Sequence, residues 1–277
     1  MTIPESHTLR AHTCGDLAYY TFPSFDDIPF VRHAFSTRLG GVSEGVFASM
    51  NLSFGRGDEP ARVRENFDRF CSGALGCSAE RVVMSRQVHR TAIRNVTAAD
   101  CGKGVTRERD EEDYDGLLTD EPNVVLCTLY ADCVPLFFVD PVRRVVGTSH
   151  SGWRGTAAQI GRVTVERMVR DYGCRREDIR AAVGPSIGPC CFEVDTPVFE
   201  VFAQMPLFDE SCVRRHGEKY DIDLWEINRR ILLDAGVEAA HITVTDLCTR
   251  CHPDVFWSHR VTGAARGSLA GMIAIAE

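Results

Sequence analysis

A thiol and two imidazoles are the side chains of this sequence best suited to hold a catalytic metal. Cys133 lies between two apolar runs, 124–130 and 135–140, and His150 directly follows a third run, 144–149, with a turn at Asp140-Pro141 between the second and third runs. Such a hairpin would return His150 to the neighbourhood of Cys133. His89 follows an earlier short apolar run, so its imidazole is placed at a comparable strand end. The sequence therefore predicts that these three side chains converge.

Three interpretations of this set remain open from the residues alone. One thiolate with two imidazoles suits zinc and leaves the fourth tetrahedral position open, as in catalytic sites. Cys133 could instead be a nucleophile with His150 as its base, as in cysteine hydrolases. Residues so far apart in sequence have no local metal signature, so from the residues alone ordinary packing of Cys133 and His150 is the favoured interpretation.

A second cysteine motif, Cys248-Thr-Arg-Cys251-His252, matches the pattern of covalent haem attachment. Haem attachment requires export, and residues 1–16 lack the apolar core of a secretory signal. The Cys248/Cys251 pair could hold half of a zinc site, but no second pair lies at finger-like spacing. We therefore interpret these residues as thiols packed near a strand.

Two glycine-containing turns carry basic residues that could bind an anion. Arg38 lies in the first turn, residues 36–41, and Arg154 lies in the second, residues 150–155, which opens a predicted helix. A guanidinium can clamp phosphate through two parallel hydrogen bonds. Neither turn is a Walker loop or a dinucleotide fingerprint, so a purely structural turn remains the alternative.

These segments and their order resemble one known family over nearly the whole chain from residue 31 onward. It is the family long named multicopper polyphenol oxidases or laccase-domain proteins, and more recently regarded as purine nucleoside phosphorylases. The matching motifs are HAFSTRLGGVS (33–43), SMNLSFGRGD (49–58), VRENFDRF (63–70), QVH (87–89), DGLLTD (115–120), ADCVP (131–135), HSGWRGT (150–156), GPSIGPCCFEV (184–194), DL (223–224), CT (248–249) and FWSHR (256–260). Small departures from the family pattern, Ser151 and His259, leave the expected metal ligands in place.

The resemblance implies a cytoplasmic zinc enzyme that acts on purine nucleosides, with His89, Cys133 and His150 as the zinc ligands. It implies phosphorolysis of adenosine, inosine, guanosine or methylthioadenosine, and hydrolytic deamination of adenosine. For deamination, the metal would lower the pKa of a water that attacks the purine C6. Asp132 is the nearest candidate for proton transfer, or else it orients His89 or His150.

Phosphorolysis needs a phosphate ligand, and Arg38 is the first candidate, with Arg154 second; Asn51 completes the expected substrate-binding set. Two other functions stay open. One is a Cys-His hydrolase acting on a small molecule or a cell-wall precursor, and another is a metal-binding protein without turnover. A copper polyphenol oxidase is the weakest alternative, because the nine histidines contain no His-x-His pair.

The elements that must position these residues are more often strands than helices. Helical periodicity predicts helices over 59–75, 156–172 and 223–236. Strand-like runs span 31–37, 81–84, 92–96, 124–130, 135–140, 144–149, 180–183, 241–244 and 269–276. The two types do not alternate regularly. This order favours an α+β single domain with mixed β-sheets flanked by helices, of the cysteine-hydrolase type that the resemblance implies.

The chain divides into a variable N-terminal segment, 1–30, and one domain, 31–277. The polar stretch 102–115 lacks apolar periodicity and is predicted to be an exposed, mobile loop.

Composition limits the classes of partner. The 277 residues carry 31 basic and 39 acidic side chains, a net charge of −8 that disfavours nucleic acid and anionic membranes as partners. No apolar run approaches the length of a membrane span. Twelve scattered cysteines suit reduced thiols in the cytoplasm.

Overall fold

The computed structural model describes residues 3–277, so the first two residues of the predicted N-terminal segment lie outside the described residues. Fifteen strands are found in this part of the chain: β1 Arg10–Cys14, β2 Leu17–Thr21, β3 Val31–Ser36, β4 Val82–Met84, β5 Ile93–Asn95, β6 Gly116–Thr119, β7 Val125–Tyr130, β8 Val134–Asp140, β9 Val145–Ser151, β10 Arg180–Val183, β11 Glu193–Val194, β12 Val213–His216, β13 Lys219–Ile222, β14 Ile242–Val244 and β15 Leu269–Ile275. The same residues form the helices α1 Pro60–Phe70, α2 Trp153–Ala157, α3 Ile160–Tyr172, α4 Thr196–Ala203, α5 Leu224–Asp234 and α6 His259–Thr262.

Two six-stranded mixed sheets form the centre of the molecule. The first has the order β1-β2-β3-β15-β7-β4 and the second has the order β14-β10-β8-β9-β6-β5. A small third sheet, β11-β13-β12, lies outside them. The prediction of a single α+β domain with mixed sheets is therefore confirmed, and β1 and β2 extend the first sheet with residues that precede position 31.

The two large sheets pack face to face, and helices cover their outer faces. Alternate residues of β7 and β8, such as Leu126 and Phe137, enter the apolar layer between the sheets. The other faces pack against α1 on one side and against α3 and α5 on the other. Because both faces of the central strands are covered, β8, β9 and β15 are buried along their whole length.

The predicted helices are present with shifted bounds. The first ends as an α-helix at Phe70 and continues through Cys71–Leu75 as a wider π-turn. The second is broken into α2 and α3 by Gln159, whose φ is +58°. The third begins after Asp223, whose carboxylate accepts the N–H of Glu226 at 3.0 Å as an N-cap.

The stretch 102–115 differs from the prediction of an exposed loop. It has no regular strand or helix, but Val105 is buried and Asp115, its last residue, is completely buried. Ion pairs link the stretch back to the domain, among them Lys103 with Asp100 and Arg86 with Asp113.

None of the helices in residues 3–277 combines the length and the apolar character that a membrane span needs.

Candidate active site

The β8–β9 hairpin brings Cys133 and His150 together. The strands pair antiparallel with Pro135 opposite His150 and Val134 opposite Ser151. Cys133 immediately precedes β8, so it lies beside the end of β9. The hairpin predicted from the sequence therefore has the expected consequence.

His89 reaches the same place from the connection between β4 and β5. The side-chain amide of Gln87 donates to the carbonyl of Leu129 at 2.9 Å and accepts the N–H of Leu129 at 2.7 Å. These two bonds continue the parallel pairing of β4 with β7 beyond Met84. They hold the segment that carries His89 beside the end of β7.

Asp115 organises both histidines, and sequence reasoning missed it. Its carboxylate accepts the backbone N–H groups of Val88, His89 and Arg90 at 3.1, 2.9 and 2.9 Å. The same carboxylate lies 2.9 Å from Nδ1 of His150. Burial raises the pKa of Asp115, but the hydrogen bonds from His150 and the backbone outweigh it and hold this pKa below its usual value. The residue is therefore an ionised anchor for two of the three candidate ligands.

The three side chains form a compact donor set. Sγ of Cys133 lies 3.8 Å from Nε2 of His89, and the rings of His89 and His150 meet edge to face with centroids 4.7 Å apart. One donor atom from each residue lies within 4.8 Å of the others. Zinc bound by sulfur and nitrogen requires an S···N separation of about 3.6 Å in tetrahedral geometry, so these residues fit the ion.

Gly152 leaves the space in front of this donor set. A Cβ at position 152 would lie 2.8 Å from Cδ2 of His89 and 3.0 Å from Sγ of Cys133. The backbone φ of −62° suits any residue. Glycine is therefore required here for room and not for backbone conformation.

The charges of Cys133 and His150 stabilise each other. Burial raises the pKa of the Cys133 thiol, but His150 and His89 outweigh it and lower this pKa to about 6. Burial lowers the pKa of His150, whereas Cys133 and Asp115 raise it to about 9. The site can thus hold the thiolate that metal ligation requires.

Asp132 lies next to Cys133 but orients neither imidazole. Its carboxylate oxygens accept hydrogen bonds from the hydroxyl of Thr249 at 2.7 Å, the hydroxyl of Ser258 at 3.0 Å and the backbone N–H of Arg260 at 2.7 Å. The expectation that Asp132 orients His89 or His150 is therefore wrong, because Asp115 occupies that role. The sequence signal that could have identified Asp115 is an aspartate directly before Gly116 and the apolar residues of β6.

The two arginines expected to bind phosphate, Arg38 and Arg154, differ in burial. Arg38 is half-buried, and its guanidinium lies 3.8 Å from the centre of the Trp257 ring. It donates to the carbonyls of Ala48 at 2.8 Å and Pro253 at 2.7 Å. Arg154 is exposed, and its guanidinium lies 4.1 Å from the Trp153 ring.

Asn51 does not face a binding site. Its side chain is completely buried and hydrogen-bonds to Ser53, Asp58 and Ser268 through both its oxygen and its nitrogen. The amide has no remaining capacity for a ligand. Asn51 instead ties the segment after Arg38 to the segment before β15, which corrects its expected role.

Arg266 is a buried cation that the sequence analysis did not single out. Its side chain is 5% exposed, and within residues 3–277 its Nε has no hydrogen-bond partner. Burial and Arg56 lower the pKa of Arg266 to about 10, while the charges of Asp132 and Cys133 oppose this shift. A guanidinium therefore lies near the donor set, although no spacing in the sequence reveals it.

Comparison with known proteins gives consistent matches over most of the chain. The family model described as multi-copper polyphenol oxidoreductase laccase matches residues 32–276. Purine nucleoside phosphorylase YlmD of Bacillus subtilis is 36% identical over 245 residues, 88% of each chain. Adenosine deaminase RL5 of an unknown prokaryotic organism is 36% identical over 241 residues, 84% of this chain and 90% of its own. The crystal structure of Bacillus licheniformis YfiH, a hypothetical protein, aligns with a TM-score of 0.90 at 33% identity over 97% of this chain and 99% of that one.

Proposed function

The chain belongs to the family described as multi-copper polyphenol oxidoreductase laccase, and we propose that it is a zinc-dependent purine nucleoside enzyme. Its reactions are phosphorolysis of adenosine, inosine, guanosine and methylthioadenosine, and deamination of adenosine. The single observation that carries the proposal is the donor set of one thiolate and two imidazoles, organised by Asp115 and left open at Gly152. The names of the relatives YlmD and RL5 support the two reactions.

His89, Cys133 and His150 would hold the zinc ion. When bound, zinc supplies a Lewis acid with an open coordination position. Asp115 accepts the hydrogen bond of the Nδ1–H of His150, so Nε2 of that ring is left to face the other donors. The neighbouring imidazoles keep Cys133 as a thiolate.

Copper is the competing metal, because one thiolate and two imidazoles also occur in blue-copper sites. A multicopper oxidase needs further histidine-rich centres. Of the groups in residues 3–277 that could bind a metal, this one alone contains two histidines. Purine chemistry with zinc is therefore the better-supported function.

Phosphorolysis requires cations that hold phosphate near the sugar, and Arg266 and Arg38 take this role. Arg266 offers a buried guanidinium with an unused Nε within the described residues. Arg38 uses three N–H bonds on the carbonyls of Ala48 and Pro253, which leaves two for phosphate. Arg154 is exposed and is the third candidate. Asp132 acts by position, since its carboxylate ties Thr249, Ser258 and Arg260 to the segment that carries Cys133.

The reaction test compares adenosine incubated with and without phosphate, followed by separation of adenine, inosine and hypoxanthine. Metal-loaded protein should form adenine only with phosphate and inosine without it. Cys133→Ala should lose the active-site metal and both activities while remaining folded, whereas Cys14→Ala, in exposed β1, should behave as the parent. Activity that survives metal removal but is abolished by a thiol alkylator would identify a Cys-His hydrolase. Metal binding without nucleoside turnover would identify a binding protein.

The phosphate assignment predicts a change in product ratio. In Arg266→Lys and Arg38→Lys, a bidentate contact becomes a point charge, so phosphorolysis should fall at least about tenfold while deamination falls less. A parallel decline of both reactions would show that the arginine holds the surrounding loop instead.

The proposal also covers the domain boundary, the type of fold and the location of the protein. The catalytic domain begins near residue 31, with 1–30 as a variable segment, which the start of the family match at residue 32 supports. A cysteine-hydrolase type of fold is supported by the Cys133 thiolate beside His150. The cytoplasm is the proposed location, because Cys133 must stay reduced to bind metal.

A further inference from the structure

Four cysteines outside the candidate active site converge from two distant segments. Cys190 and Cys191 lie in the connection between β10 and β11, and Cys248 and Cys251 lie in the connection between β14 and α6. The four sulfur atoms all lie within 4.8 Å of one another. The sequence shows no second cysteine pair at finger-like spacing from Cys248 and Cys251. In the folded chain, Cys190 and Cys191 supply that second pair.

The distances among these sulfurs suit a shared metal. Sγ of Cys251 lies 3.6 Å from Sγ of Cys190 and 3.5 Å from Sγ of Cys191. Four sulfurs around zinc, each at about 2.3 Å, are separated by about 3.8 Å. A disulfide requires an S–S length of about 2.0 Å, far shorter than these separations.

The backbone of both segments is arranged around the sulfurs. The N–H of Gly188 donates to Sγ of Cys248 at 3.2 Å, and the N–H of Thr249 donates to the carbonyl of Ser186 at 2.9 Å. A Cβ at position 188 would lie 3.3 Å from Cβ of Cys248 and 2.8 Å from the Trp225 ring. Glycine at this position therefore permits the close approach of the two segments.

One arginine side chain contacts the cluster directly. Nη1 of Arg250 donates to Sγ of Cys191 at 3.3 Å. Arg214 and Arg260 line the same cleft, together with Glu193 and Asp221, and Arg214 is ion-paired with Asp221. Four thiolates around a divalent ion carry a net charge of about −2, and the Arg250 guanidinium offsets part of it.

We propose that Cys190, Cys191, Cys248 and Cys251 form a second, structural metal site that binds zinc through four thiolates. All four coordination positions are then filled by the chain, so this ion is closed to substrate. The site joins the two connections next to Thr249, whose hydroxyl binds Asp132 beside Cys133. It therefore fixes one wall of the candidate active site, and it stands independently of any nucleoside activity.

The test measures metal content and the spectrum of the cobalt-substituted protein. The parent chain should bind two metal ions, and its cobalt form should show the thiolate-to-metal absorption and intense ligand-field bands of a tetrathiolate site. Cys248→Ser/Cys251→Ser should lose one ion and that spectrum. Cys133→Ser should lose the other ion and keep the tetrathiolate spectrum, and Cys14→Ser should keep both.

A measurement on the unaltered protein covers the case in which the double variant does not fold. Thiols of native protein are counted with a disulfide reagent before and after a strong chelator, since exposed Cys190 and Cys251 should react only once the metal has been removed. Unchanged metal content in the double variant would overturn the proposal. Equal thiol reactivity before and after chelation, or a disulfide among the four cysteines found by mass spectrometry of the unreduced protein, would also overturn it.

Discussion

At the scale of single residues, Asp115 links the two histidines of the candidate site. One carboxylate accepts three consecutive backbone N–H groups around His89 and also binds Nδ1 of His150. Carboxylates that orient metal-binding histidines typically change metal affinity by 10- to 100-fold when they are removed. Asp115, which is not itself one of the three candidate ligands, should therefore control the metal affinity of the proposed zinc site.

Asp115→Asn should weaken zinc binding by about 10- to 100-fold with little change in overall fold. The amide is nearly the same size but brings no negative charge to His150 and accepts fewer hydrogen bonds. Competition with a chromophoric chelator measures the affinity, and circular dichroism measures the fold. Asp120→Asn, at an exposed neighbouring position, is the control and should bind zinc as the parent does. Equal affinities in the two variants would contradict the role of Asp115.

His33 makes a separate pH-dependent contribution to stability. Its Nε2 accepts the N–H of Phe22 at 2.7 Å, and its ring packs against Phe22 and Phe25. Burial lowers the pKa of His33 to about 4 from 6.5. Because the unfolded chain binds a proton between these values and the folded chain does not, stability should be lost as pH falls from about 6.5 to about 4.

His33→Gln should remove up to about 3 kcal/mol of this pH dependence, because the pKa of His33 lies at about 4 in the folded chain and 6.5 in the unfolded chain. The Gln carbonyl can still accept the Phe22 N–H. The measurement compares the free energy of unfolding at pH 7 and pH 4 for the parent and the variant. His7→Gln, at an exposed position, should retain the pH dependence of the parent. The same slope in all three proteins would show that His33 is not the titrating group.

At the scale of elements, the β4–β5 connection behaves as an extension of the first sheet. Gln87 exchanges two hydrogen bonds with the backbone of Leu129, although it is not part of a strand. Cys133 and His150 are fixed by the seven-residue pairing of β8 with β9. His89 therefore depends on its connection in a way that the other two donors do not.

Gln87→Ala should weaken zinc binding by roughly tenfold, because the connection loses two hydrogen bonds worth about 1 kcal/mol each. All three donors remain in the chain, so the bound metal should keep its thiolate spectrum in the cobalt form. Gln204→Ala, at the exposed end of α4, serves as the matched control. Parent-like affinity in Gln87→Ala would show that Asp115 alone holds His89 in place.

At the scale of the whole molecule, the site depends on two sheets packed at a fixed distance. β15 lies between β3 and β7 in the first sheet, and Gly271 on β15 faces Phe137 of the second sheet. A Cβ at position 271 would lie 2.8 Å from Cζ of Phe137 and 3.1 Å from Cε2 of Tyr130. The absence of a side chain therefore sets the sheet separation at this point.

Gly271→Ala should destabilise the protein by about 1–3 kcal/mol through overpacking. Phe137→Leu removes the atom that the new methyl group meets, so the double variant should be more stable than the sum of the two single changes predicts. Thermal or urea unfolding of the four proteins measures the coupling. Gly55→Ala, where a Cβ meets nothing within 4 Å, should be nearly neutral. Strict additivity would contradict direct contact between these positions.

Much of the fold was predictable because local patterns report local structure. Apolar alternation and apolar runs located β7, β8 and β9, and the turn at Asp140-Pro141 predicted the β8–β9 hairpin. The short strands β1 and β11 to β13 were missed, because they are partly exposed and lack an apolar run, and the mostly buried β2 was missed because it lies in the segment interpreted as variable. The stretch 102–115 was misjudged at its end, since its polar composition concealed the burial of Asp115.

The sequence by itself determined the chemistry of the candidate donor set, because the residue types at His89, Cys133 and His150 limit what can bind there. It also determined the hairpin that joins two of them, since that contact is local. Only the tertiary structure decided that Asp115 and not Asp132 orients the histidines, that Asn51 is a scaffold residue, and that Cys190 and Cys191 meet Cys248 and Cys251. These contacts join segments that are distant along the chain, and their partners are selected by the packing of two sheets, which no spacing within one segment encodes.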